Sequence, residues 1–195
     1  MRGSLCRTKS ISMDDGHFYI VMEWLGEGNS EAAMGPLPVD NDTARHTAQQ
    51  ALKGLRTLHT HNVTHCDVSL RNLMPQRSRA VLVDFDTALV PGLDRHTNVW
   101  GTLNYTAPEV FESCDYGPAS DLWAMGVCIF ELVTGRMPFF CLDRRPQSVR
   151  NALKAMRRGV RFTASDGVPD AAQDLIRGLL TYDKHRRIQS GGGGL

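Results

Sequence analysis

Asp67 and Asp84 lie 17 residues apart at the ends of short apolar segments, and Asn72 sits between them. Oxygen donors of this kind suit a hard divalent cation, since Mg²⁺ is commonly held by one or two carboxylates or an amide together with substrate phosphates. Asn72 and Asp84 have the atoms for that task. Asp67 is then free to orient an attacking hydroxyl and take its proton, while Arg71 can face the negative charge spread over a transferring group. The plain alternative is a polar turn, because Asp and Asn readily bond their own backbone.

Elements that could hold these groups are visible around them. "HFYIVMEWL", 17–25, is aromatic and β-branched, as a buried strand should be, and stops at "GEGNS", where Gly26 and Gly28 mark a loop. After "GPLPVDND", Asn41 or Asp42 can cap a helix in which Ala48, Ala51, Leu52, Leu55 and Leu58 recur at helical spacing. Leu73-Met74 and "AVLVDF", 80–85, read as short strands joined through Arg77, Ser78 and Arg79. Residues 86–108 lack strong periodicity, and such long segments in a compact domain are usually functional. "ASDLWAMGVCIFELVTG" is apolar nearly all round, which marks a buried central helix ended by Gly135, and helices are expected over about 147–158 and 170–180.

Composition narrows the classes. With 42% apolar and 22% charged residues the 195-residue chain reads as one ordered globular domain, and its net charge of +1 gives no electrostatic case for nucleic acid. The apolar run near 122–133 is too short for a membrane span and is broken by Glu131. "MRGSLCRTKSISM" has no long apolar core, which argues against a secretory signal. Five cysteines without a C-x-x-C pair argue against a disulfide framework or zinc site and fit a reducing, intracellular setting.

"HCDVSLRN", 65–72, resembles the catalytic loop of eukaryotic protein kinases, and "DFD", 84–86, resembles their D-F-G. "GTLNYTAPE", 101–109, resembles the end of an activation segment, "SDLWAMGV" the start of the central helix, and "ELVTGRMPF" the end of that helix and the turn beyond it. "LLTYDKHRR" resembles the region that supplies an arginine to the A-P-E glutamate, which implies a Glu109–Arg187 pair. "FYIVMEWLGEGN" looks like the last strand of the small lobe running into the hinge.

This resemblance spans about 18–188 and implies an α+β, protein-kinase-like fold, mainly the helical C-lobe with a hinge strand and a small hairpin. Residues 1–17 would be a remnant of the small lobe or disordered, and 189–195 a flexible Gly-rich tail. It implies ATP and Mg²⁺ as cofactors, a protein substrate, Ser/Thr specificity and a cytoplasmic location. Asp67 would be the catalytic base, Arg71 a phosphate-facing charge, Asn72 and Asp84 the Mg²⁺ ligands, and Thr102 a partner of Asp67 that shapes the substrate platform. Met22 would guard the adenine pocket, Glu23 and Leu25 would offer backbone bonds to adenine, Asn29 would lie near the ribose, and Met74 and Val83 would line the floor. His59, His61 and His65 imitate a metal cluster but fall at a helix end and its turn, which makes ligation a poor reading.

Departures shape the expectation. Nothing before Phe18 matches a glycine-rich loop or an ATP-positioning lysine, so this chain alone is expected to be weakly active or inactive. Cys66 replaces the arginine of H-R-D, Ser69 the lysine two residues after the aspartate, and Asp86 the D-F-G glycine, where Asp tolerates a left-handed backbone. Arg71 stands as in tyrosine kinases, although "GTLNYTAPE" favours Ser/Thr specificity. The rivals are a pseudokinase-like binding module and a small-molecule kinase of the aminoglycoside-phosphotransferase type, whose D-x-D would match Asp84 and Asp86.

Overall fold

A computed structural model describes residues 3–26, 35–76, 79–90, 92 and 96–188. The chain enters as an antiparallel hairpin of β1 (Thr8–Asp14) and β2 (His17–Met22). Asp15 and Gly16 join them with φ of 46° and 74°, the paired positive angles that a two-residue Asp-Gly turn of type I′ requires. The boundary expected between 17 and 18 therefore falls inside β2, and the strand before it belongs to the same ladder. A second expectation also changes, because β2 is exposed along its whole length rather than buried. Cross-strand partners share a face, so Ile11, Met13, Phe18, Ile20 and Met22 form one apolar face, and no element among the described residues buries it.

Further in, the apolar repeat folds as α1 (Asn41–Thr60) with Ala48, Ala51, Leu55 and Leu58 buried. Its cap is Asp40, not Asn41 or Asp42: Asp40 Oδ1 accepts from the Asp42 and Thr43 amides at 3.0 and 2.9 Å. Such a cap stabilises a helix by about 1 kcal/mol. The next hairpin pairs β3 (Leu73–Gln76) with β4 (Arg79–Leu82) and packs on α1. The expected turn residues Arg77 and Ser78 lie outside the described residues. Residues 4–6 lie along β4, with Leu82 N–H donating to Ser4 O (2.9 Å) and Cys6 N–H to Leu82 O (3.0 Å).

Beyond the irregular segment come α2 (Pro108–Ser113), α3 (Pro118–Thr134), α4 (Pro146–Arg157) and α5 (Asp170–Leu179). The short α2 was not expected from periodicity, because one and a half turns are too few to show it. Helix α3 is the axis, with Leu122, Trp123, Met125, Val127, Cys128, Phe130 and Leu132 sealed from solvent. At Gly126 a Cβ would lie 2.9 Å from Leu179 Cβ, so the absent side chain sets how closely α5 crosses α3. No helix among the described residues is long and apolar enough to cross a membrane. All five cysteines are unpaired.

Candidate active site

Asp67 is held from both sides. Thr102 donates to its Oδ1 from the backbone amide (2.8 Å) and from Oγ1 (2.9 Å), and Asn72 Nδ2 donates to its Oδ2 (3.1 Å) and its carbonyl (2.8 Å). Using Nδ2 this way assigns Asn72 Oδ1 to any other ligand. Val83 N–H donates to Asn72 O at 3.0 Å, which brings the strand leading to Asp84 alongside the loop. Asp84 is exposed and has φ of 64°. The left-handed residue of "DFD" is thus Asp84 and not Asp86, which corrects the expectation for the glycine-replacing position.

A buried carboxylate shapes the approach to Asp67. Asp121, 1% exposed on α3, accepts the His65 amide (2.9 Å), the Cys66 amide (3.0 Å) and His59 Nε2 (2.9 Å). These bonds hold Cys66 at φ 67°, a conformation that costs an L-residue about 1–2 kcal/mol. His65 Nε2 donates to Val83 O (3.0 Å) while its Nδ1 accepts the Asp67 amide (3.4 Å), so one ring links both acidic segments. Burial, then the negative charge of Asp121, pushes the Cys66 thiol far above its ordinary value, which makes it a poor nucleophile. Nothing in the motifs assigns Asp121 a role. A signal existed, since a carboxylate in the first turn of a helix that is apolar nearly all round must find donors.

The segment after β2 is tied to β3 and β4. Gln76 Nε2 donates to Leu25 O, and Arg79 Nη2 pairs with Glu23 Oε2 at 2.9 Å. Burial alone would raise the Glu23 carboxyl, but the Arg79 bond, the Arg7 amide and two cationic charges outweigh it and hold it below its usual range. Glu23 N–H donates to Arg7 O (2.9 Å). Met22 is exposed, Met74 and Val83 are half-buried, and Arg71 is exposed beside the loop. Asn29 lies outside the described residues.

Glu109 and Arg187 form a bidentate pair at 2.6 and 2.9 Å, with Arg187 also bound to Ala119 O and Tyr182 O. His59, His61 and His65 bind Asp121, Thr57 O and Val83 O, and no cluster of three or more His, Cys, Asp or Glu among the described residues is arranged for a metal. Trp123 stacks on Phe139 in the core.

Over residues 3–190 the sequence matches the family described as Protein kinase domain. The chain belongs to the protein kinase family. Curated relatives include serine/threonine-protein kinase PLK4 of Drosophila grimshawi, 31% identical over 191 residues, or 95% of this chain and 24% of that protein. PLK4 of Drosophila melanogaster is 30% identical over 190 residues with the same shares. The chain spans about a quarter of the length of these relatives. Within this kinase domain Ser69 is fully buried, and its Oγ has no hydrogen-bond partner. The hydroxyl is therefore part of the core and does not stand in for a substrate-facing lysine.

Proposed function

We propose that this kinase domain transfers the terminal phosphoryl group of ATP to serine or threonine hydroxyls of a protein. The observation that carries the reading is Asp67: one carboxylate oxygen is fixed by two Thr102 donors, and the other lies beside Asn72. A carboxylate so oriented accepts a hydroxyl proton as the oxygen attacks phosphorus. Asn72 Oδ1 and the exposed Asp84 carboxylate form a hard-oxygen pair, which fits Mg²⁺ once nucleotide phosphates complete the shell. When bound, that ion supplies neutralisation of phosphate charge. Arg71 faces the charge on the transferring group, and Glu23, Leu25, Met74 and Val83 shape the nucleotide side, with Met22 at its entrance and Asn29 assigned to the ribose. The names of the PLK4 relatives favour serine/threonine acceptors, as does "GTLNYTAPE". Five unpaired thiols favour a reducing compartment.

The test is transfer from labelled ATP to protein acceptors, run on this chain and on any longer product that carries it. Asp67→Asn is expected to lower kcat at least about 100-fold where wild type is active. Unaltered turnover in that variant removes Asp67 as the base. Nucleotide binding without transfer, with capture of a stable protein partner, would instead support a binding module. Preference for an aminoglycoside-like substrate would support a small-molecule kinase.

A further inference from the structure

We propose that residues 98–102 are locked by a clamp made only of protein, Tyr116 on one side and Arg144 on the other, which positions Thr102 against Asp67 without any phosphate. The segment is not part of a helix or strand, so its backbone groups need partners from elsewhere. Tyr116 serves the even positions: its hydroxyl accepts the Trp100 amide at 2.6 Å and faces Trp100 O at 3.2 Å and Asn98 O at 3.4 Å. Arg144 serves the odd ones, donating from Nε to Val99 O and from Nη2 to Gly101 O, both at 3.2 Å. The next residue is Thr102, whose amide and hydroxyl hold Asp67 Oδ1.

A ring closes the arrangement. His96 sits edge-on to Tyr116 with centroids 5.0 Å apart, and its Nε2 donates to Thr87 O at 2.8 Å. Thr87 Oγ1 in turn donates to His65 O at 3.3 Å, back in the loop that carries Asp67. Trp100, Thr102 and Tyr116 also line one small cavity with Cys66, Asp67 and Asp121. Cys66 brings no cation to this place, and the two side chains that order the segment bind carbonyls and an amide, groups present whether or not the exposed Thr97 is modified. Tyr116 and Arg144 are thus positioning residues, acting on Asp67 through Thr102. The proposal rests on the phosphotransfer reading only for its kinetic arm.

The experiment measures amide hydrogen exchange in wild type, Tyr116→Phe, Arg144→Met and Thr97→Ala, with phosphate content checked by mass. Tyr116→Phe should speed exchange at Trp100 and Thr102 at least about tenfold while α3 amides stay within about twofold, the pattern of a local opening. Arg144→Met should act in the same direction at Thr102, and Thr97→Ala should match wild type. Unchanged exchange at 98–102 in Tyr116→Phe, equal acceleration throughout the molecule, or protection that disappears after phosphatase treatment each overturn the clamp. In a preparation that transfers phosphate, Tyr116→Phe should lower kcat about tenfold with KM for ATP within about twofold, as misplacement of a catalytic group does. Unchanged kcat overturns the positioning role. If wild type transfers nothing, the phosphotransfer reading fails and exchange still decides the clamp.

Discussion

Gly101 has φ of +84°, and a Cβ there would lie 2.9 Å from Cys66 O and 3.1 Å from Asp67 Oδ1. Gly101→Ala meets both a disfavoured backbone and a fixed carbonyl, so it should lose about 1–3 kcal/mol in chemical denaturation. It should also displace Asp67, and an unchanged stability would show that the approach is looser than drawn. Ser69→Ala makes the opposite prediction. Deleting a buried hydroxyl that has no partner should be neutral or stabilise by about 1 kcal/mol, and it should leave any transfer rate intact. A large loss of rate would return Ser69 to the active site. Asp67, Asn72 and Asp84 stand out in the sequence by residue type and by resemblance, and the fold brings Asn72 onto Asp67 and the strand before Asp84 alongside it. For Asp121 the sequence shows only a carboxylate in an apolar helix and not its partners, since its donors lie 55 and 56 positions away and meet it only in the fold.

At the scale of elements, the helices α1, α4 and α5 emerge from apolar periodicity and α3 from a stretch apolar nearly all round, with the expected ends within about two residues. The first strand hides because "TKSISMD" mixes polar and apolar residues, although "DDGH" carries an Asp-Gly turn signal that points to a hairpin. One of the attachments of that hairpin is an ion pair. Glu23 sits after β2 and pairs with Arg79 on β4, with side chains 15% and 12% exposed. Its carboxyl titrates below the ordinary 4.5 in the folded chain, so the stability it adds is present above that value and is lost as pH falls through the lower folded one. Melting curves of wild type and Glu23→Gln should therefore differ at neutral pH, by at most about 1 kcal/mol, and converge in acid. A gap that persists at low pH would mean that the pair contributes through packing.

Across the whole molecule, burial is uneven. The core gathers on α3, whereas the β1–β2 face of Ile11, Met13, Phe18, Ile20 and Met22 stays in solvent. Phe18→Ser should then change the unfolding midpoint by less than about 0.5 kcal/mol in stability, while Leu55→Ala on α1 should cost about 2–5 kcal/mol. Equal costs would mean that the hairpin face is covered in solution. Composition points to a buried strand here because aromatic and β-branched content reports strand propensity, not what lies against it.

Asp121 has a consequence for how the chain is made. Cys66 takes its left-handed form against the Asp121 carboxylate, yet it leaves the ribosome 55 residues earlier. At about 5–20 residues per second that interval lasts roughly 3–11 s. Throughout it the loop bearing Asp67 has been synthesised without its anchor, so the nascent chain carries every residue of the loop before it can give the loop its shape.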